Sequence, residues 1–350
     1  MKKDLDYLDD VFNRLTPVEE PLDDATREQL WERISRDTLE NRRLHADTIR
    51  LRKRLLRVSV AAAVALICTA GFFTLRPGAE DSINYDAVSQ YCPHDIENVQ
   101  LVIPDRVIPI RDADSVVYKD NKVVADGVAY QIKNPDEIHQ FIVPFGETAG
   151  IRLADGSKVT LNSGSKLIYK SGMGGARRQV YVNGEVFLDV ARDESRPFTV
   201  KTNRLNVRVL GTEFDVRAYD DEDVQSVVLV SGSVSVGADL LDQRYRIVPD
   251  QCFSYNTSNC DISIRQVPVE NYISWMDGIL ILDNANLKDV FKSVIRHYDV
   301  EILYDSSLEN VRISGKLDIR GSVEDALQSI GLVAGTNYVC ENGIYRISAK

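Results

Sequence analysis

The chain has 350 residues, 44% hydrophobic and 27% charged, with 42 Lys or Arg against 53 Asp or Glu for a formal charge of −11. That composition suits two or three domains and excludes a disordered chain, a small disulfide-stapled scaffold and nucleic-acid binding driven by bulk electrostatics. The five cysteines, Cys68, Cys92, Cys252, Cys260 and Cys340, form no C-x-x-C pair and do not cluster with the four histidines, so neither a metal site nor a cofactor is expected. Cys252 and Cys260 either close a small loop or stay as thiols.

Residues 1–57 read as a helical tail. Leu5, Leu8, Phe12 and Leu15 recur at spacings of three and four along one helical stripe that ends at Thr16-Pro17. A second helix is predicted from Asp23-Asp24, whose carboxylates suit a helix N-terminus, and it carries Leu30, Trp31 and Ile34. A segment this short buries too little surface to hold itself together. The two stripes therefore either pack on each other as a hairpin or clamp a cytoplasmic protein, with Leu5, Leu8, Phe12, Leu15, Leu30, Trp31 and Ile34 as anchors.

Val58–Leu75 is a run of 18 residues without a charge. As a helix it spans about 27 Å, close to the hydrocarbon thickness of a bilayer. Arg50, Arg52, Lys53, Arg54 and Arg57 precede it, whereas Glu80, Asp81 and Asp86 follow, which places the N-terminus in the cytoplasm. The 57 residues ahead of the run are too many for the basic region of a signal peptide. The expectation is a single-pass inner-membrane protein with a periplasmic linker at 76–97. Residues 1–57 hold 13 basic and 13 acidic side chains, so the whole acidic excess falls beyond the span.

From 98 to 266 the sequence reads as short strands separated by turn residues, with hairpin signals at Asp126-Gly127, Asp155-Gly156 and Asn183-Gly184. It also repeats. VIPIRDADSVVYK (Val107 to Lys119) aligns with KVTLNSGSKLIYK (Lys158 to Lys170), pairing Tyr118 with Tyr169, and VVADGVAY (Val123 to Tyr130) aligns with VYVNGEVF (Val180 to Phe187). Repetition of a strand-turn-strand unit predicts an all-β domain of stacked coils or a sandwich. Phe187, Phe198 and Phe214 are expected to point inward, and Gly211 to permit a bend or a close strand approach.

The strings RLADGSKVTLNSGSKLIYK (Arg152 to Lys170), VYVNGEVFLDVARDESRPFTVKT (Val180 to Thr202), VRVLGTEFDVRAY (Val207 to Tyr219) and VVLVSGSVSV (Val227 to Val236) resemble, in order, the periplasmic domain of the FecR family of transmembrane anti-sigma factors. The resemblance implies that the tail binds an extracytoplasmic-function sigma factor without touching nucleic acid itself. It implies too that the ectodomain receives a signal from the N-terminal signalling domain of a TonB-dependent outer-membrane transporter. Site-specific proteases would then act in the ectodomain and in the span, where Cys68-Thr69-Ala70-Gly71 is the least strongly helical stretch and the expected cleavage region.

After a linker at Val267–Tyr272 the pattern becomes α+β over 272–350. A strand at Gly278–Ala285 leads to a helix capped by Asn286 with Leu287, Val290, Phe291, Val294 and Ile295 on one face. Two further strands precede a shorter helix opened by Ser322, and a hairpin turns at Asn342-Gly343. The order βαβ, βαβ and a final strand resembles the C-terminal domain found in one branch of the FecR family, related to the short N-terminal domains of secretins and TonB-dependent receptors. An exposed strand of this module is the expected edge for pairing with a periplasmic partner.

No H-E-x-x-H, G-x-S-x-G or Walker loop is present, so no catalytic residue and no enzymatic activity are assigned. His297, at a predicted helix end, suits the C-terminal dipole. Asp220-Asp221-Glu222-Asp223 reads as a solvated loop or a loose calcium site. A second functional reading is a membrane-anchored periplasmic binding or adhesion module for glycan or another envelope component. It requires an exposed aromatic platform from residues such as Tyr118, Tyr130, Tyr169, Tyr181 and Tyr219.

Overall fold

The computed structural model describes residues 93–175, 178–238 and 243–350, which lie within one compact unit. The candidate anchors of the tail, Val58–Leu75 and the Cys68–Gly71 stretch fall outside the described residues. Among the described residues no helix is long and apolar enough to cross a membrane.

The first part is all β. Its strands are β1 (Gln100–Ile103), β2 (Arg106–Pro109), β3 (Val116–Lys119), β4 (Lys122–Ala125), β5 (Val128–Gln131) and β6 (Ile138–Ile142). Then come β7 (Ala149–Arg152), β8 (Lys158–Leu161), β9 (Lys166–Lys170), β10 (Arg178–Asp189), β11 (Phe198–Lys201) and β12 (Leu205–Val209). The last are β13 (Glu213–Ala218), β14 (Val224–Ser231), β15 (Val234–Ala238), β16 (Arg244–Ile247), β17 (Gln251–Asn256) and β18 (Ile262–Gln266). One ladder runs β2-β1-β6-β9-β10-β11-β12-β15-β16 and the other β5-β4-β3-β7-β8-β10-β13-β14-β17-β18. The two sheets enclose one core, to which Leu101, Phe141, Leu167 and Val180 contribute from the first and Val123, Val159, Val186 and Phe214 from the second.

Strand β10 belongs to both sheets, and Asn183-Gly184 is where it crosses. Residues 180–183 pair with β9, while 184–189 pair with β13. The expected hairpin is therefore absent at this point: Asp126 and Gly127 both have positive φ (49° and 77°) and turn the chain, whereas at 183–184 only Gly184 does (117°) and the strand continues with a bend. A Cβ on Gly184 would sit 2.3 Å from Ser165 Oγ, so the residue without a side chain is what lets the two sheets meet here.

The repeat does not produce stacked coils. The aligned strands β3 and β9 lie in opposite sheets, and their tyrosines face each other across the core, with Tyr118 and Tyr169 hydroxyls 2.8 Å apart and Tyr118 Oη 2.5 Å from His139 Nδ1. Burial pushes both phenols up and His139 down, so the cluster is neutral and serves packing. Phe198 and Phe214 point inward as expected, whereas Phe187 occupies the outward phase of β10 and is half-buried. Gly211 meets the expected close approach, its absent Cβ lying 2.5 Å from Arg192 Cα. Cys252 and Cys260 are thiols, the first buried within β17 and the second exposed in the turn beyond it, so the loop is not closed.

The second part begins with a short helix α1 (Glu270–Ile273) and a 3-10 turn, Ser274–Asp277. It continues as β19 (Ile279–Asn286), α2 (Leu287–Tyr298), β20 (Glu301–Tyr304), β21 (Arg312–Asp318), α3 (Val323–Ala334), β22 (Thr336–Glu341) and β23 (Ile344–Ala349). Strands β19 and β21 pair, and β20, β23 and β22 form a second small sheet in that order. Leu287, Val290, Phe291 and Val294 of α2 and Val323, Ala326, Leu327 and Ile330 of α3 share a core separate from that of the β domain. Both helices have 12 residues, so the second is not the shorter. Ser322 and Asp325 form a reciprocal capping box, while Asn286 makes no side-chain cap bond.

Candidate functional site

Strand register fixes which residues leave the main core. Glu185 pairs with Arg217, Phe187 with Asp215, Asp215 with Val228 and Val228 with Cys252. Directly paired residues project on the same side of a sheet, so these six line the outer face of the second sheet. The C-terminal module covers that face.

Two kinds of contact hold it there. Near the start of the module, Val228 and Cys252 pack with Val269, Tyr272 and Ile273, and Trp275 donates its indole N–H to Asp215 Oδ1 at 3.2 Å. Further along, α2 presents Lys288, Lys292 and Arg296 at intervals of four residues, a basic stripe beside its apolar one. Arg296 pairs with Glu222 and Asp221, each at 2.6 Å, and its guanidinium stacks 3.7 Å above the Tyr219 ring. Lys292 lies 3.7 Å from the Asp221 carboxylate and donates to its carbonyl oxygen, and Lys288 lies 3.8 Å from Asp223. Arg217 bridges Glu185 (2.8 Å) and Glu222 (2.7 Å) and also donates to Ser293 Oγ at 3.2 Å. The Gly146 amide donates to the carbonyl oxygen of Arg296 at 2.8 Å.

The charges settle accordingly. Burial raises the Asp215 carboxyl well above its usual range, and nearby Glu185 adds to this. Burial works against the charge of Glu222, yet Arg217 and Arg296 outweigh it and hold the carboxylate below its usual value. Burial likewise opposes the Arg217 cation, but Glu185 and Glu222 keep it firmly protonated. Tyr219 donates its hydroxyl to Ser163 O at 2.8 Å, and Asn162 donates to Glu185 Oε2 at 2.7 Å. The arrangement is a seat for a helix built from complementary charges. It presents no activated nucleophile, and among the described residues no group of His, Cys, Asp and Glu is placed to hold a metal.

Several sequence motifs thus converge on one place. Asn162 and Ser163 of LNSGS, Glu185 of the NGEVF strand and Asp215, Arg217 and Tyr219 of EFDVRAY all reach the junction. Reading them as turn and scaffold residues missed this. The available signal was opposite charges at alternate positions of strands that are otherwise apolar. Three carboxylates of the Asp220–Asp223 loop, Asp220, Asp221 and Asp223, are exposed as expected of a solvated loop, but the loop is also engaged: Asn183 and Asn203 donate to Asp220, and the other three carboxylates face Arg217 and the basic stripe of α2. His297 does not act as a helix-end cation. Its Nε2 lies 2.7 Å from Ile319 O, and burial lowers its pKa. The tail residues Leu5, Leu8, Phe12, Leu15, Leu30, Trp31 and Ile34 are outside the described residues.

Residues 140–235 match the family described as FecR protein, and residues 279–347 match FecR, C-terminal. Two crystal structures of a candidate anti-sigma factor from Parabacteroides distasonis ATCC 8503, at 1.65 and 2.50 Å resolution, are similar to this chain. Each is 28% identical with a TM-score of 0.58, covering 60% or 61% of this chain and 99% of the other. No curated protein matches the chain.

Proposed function

Because the chain belongs to the FecR family, we propose that it is an inner-membrane anti-sigma factor, a regulator and not an enzyme. The observation that carries this reading is the pair of family matches in one chain, in order, on a fold shared with a candidate anti-sigma factor over 60% of this chain. In this reading Val58–Leu75 spans the membrane and the tail, through Leu5, Leu8, Phe12, Leu15, Leu30, Trp31 and Ile34, holds an extracytoplasmic-function sigma factor away from RNA polymerase. The described domains lie in the periplasm and receive the signalling domain of a TonB-dependent transporter. Strand β22 supports an edge-to-edge mode of contact, since it borders its sheet and Val339 on it is 57% exposed. Proteolysis in the ectodomain and then at Cys68–Gly71 would pass the signal inward.

The adhesion reading is less favoured because three of its five tyrosines, Tyr118, Tyr169 and Tyr219, are buried, which leaves Tyr130 and Tyr181 partly exposed. The direct test is co-purification of residues 1–57 with the sigma factors of the same cell, alongside the Leu8→Ala/Phe12→Ala/Trp31→Ala variant of the full chain. Retention of one sigma factor and release of its target genes by the variant are expected. Retention of none at micromolar concentration, with unchanged transcription, would sink the assignment.

A further inference from the structure

The junction is uneven along its length. At Val267–Trp275 it is anchored by a small apolar core of Val228, Cys252 and Val269, with Val267, Tyr272 and Ile273 half-buried around it and the buried Trp275 bonded to Asp215. At α2 it is ionic, made by Lys288, Lys292 and Arg296 on the loop Asp221–Asp223. Among the described residues, no buried apolar cluster is shared between the module and the main core of the β domain. The only backbone hydrogen bond joining α2 to the β domain among the described residues runs from the Gly146 amide to Arg296 O. Apolar contacts tolerate small rotations because they are non-directional, whereas Arg296–Glu222, the buried ion pair of the α2 contact, holds one geometry, and the pairs to the largely exposed Asp221 and Asp223 surround it.

We propose that the C-terminal module is a latched flap: Val267–Trp275 is its hinge, and the contact between the basic stripe of α2 and the Asp221–Asp223 loop is its latch. Opening swings α2 away as a rigid body and uncovers Arg217, Tyr219 and Ser163 on the outer face of the second sheet, while the module keeps its own core and its attachment at Trp275. The latch binds its two halves mainly by charge, with Arg296 also stacked on Tyr219 and its carbonyl oxygen bonded to the Gly146 amide, so a partner that pairs with either set of charges competes with it. This inference concerns the described domains and stands whether or not the tail binds a sigma factor.

The test uses the full chain and the variants Arg296→Met and Arg296→Lys. Methionine keeps an aliphatic chain over Tyr219 and leaves Glu222 paired with Arg217, so the β domain retains its own network. Amide hydrogen exchange is read at Gly146, at 267–276 and in α3. In Arg296→Met, exchange at Gly146 is expected to rise at least about tenfold, with wild-type protection kept at 267–276 and in α3. Arg296→Lys should fall between that variant and the wild type. Unchanged exchange at Gly146 would overturn the latch. Loss of protection at 267–276 would overturn the hinge, and loss in α3 would show a module that unfolds and does not swing.

Discussion

Arg178 is among the largest fully buried side chains, and its partner Asp155, 2.9 Å away, is as deeply enclosed, each side chain being 1% exposed. The guanidinium also donates to the carbonyl oxygens of Ala191 and Arg196, and it lies over the Phe198 ring. Asp155 of the DGS turn thus clamps the turn to the start of β10. Asp155→Ala leaves a charge buried without its counter-ion, and a loss of about 3–5 kcal/mol is expected in urea unfolding. Titration at the junction has two signs. The raised value of Asp215 means that its contribution is complete below its unfolded pKa and is lost as pH rises through the folded one. Glu222 is depressed, so its contribution exists above the unfolded value and is lost as pH falls through the folded one. Asp215→Asn keeps an oxygen to accept from Trp275 and removes the first effect. Its stability should decline less than that of the wild type as pH rises above about 4, measured as urea midpoints across a pH series. An equal decline in both proteins would locate the alkaline loss elsewhere.

At the scale of the element, β10 shows what residue pattern reveals and what it conceals. VVADGVAY and VYVNGEVF are near copies, yet one is a hairpin and the other a single bent strand. Local turn chemistry is the same in both; the difference is Ser165, brought against Gly184 from the turn before β9, 19 residues away, which no local reading contains. Gly184→Ala must move Ser165 or the strand, whereas Gly127→Ala meets no atom within 4 Å and suffers only its positive φ. The first should cost upward of about 3 kcal/mol and the second about 1 kcal/mol in denaturant unfolding. The elements that were legible are those with local causes: alternating strands, the Asp126-Gly127 hairpin, and α3 with its Ser322 cap. The outward Phe187 and the seat formed by Glu185, Asp215 and Arg217 were not. Their meaning depends on a second domain arriving from residues 270–298 to cover a face that sequence alone leaves to solvent.

For the whole molecule, the separation of the two cores determines how it comes apart. The β domain closes around Leu101, Phe141, Val186 and Phe214, and the module around Phe291, Leu327 and Tyr345, with the ionic seat and the Trp275 anchor between them. The β-domain sheets are closed by pairings between strands distant in sequence, such as β1 with β6 and β10 with β13, so they form or fail together, while the module's helices pack on strands close in sequence. A cavity in the smaller core should therefore be felt there first. Phe291 is fully buried and its ring lies 4.9 Å from that of Tyr304, so Phe291→Ala removes about 3–5 kcal/mol from the module. Exchange of amides in α3 and β23 is expected to accelerate sharply in this variant, while those of β9 and the first half of β10 keep their wild-type rates. The β domain would lose only the cover on its outer face, where Asp215 and Val228 become accessible, and its own core would stay closed. Equal acceleration in β9 and α3 would instead mean that the junction transmits the full stability of one domain to the other, and that the two cores unfold as a single cooperative unit.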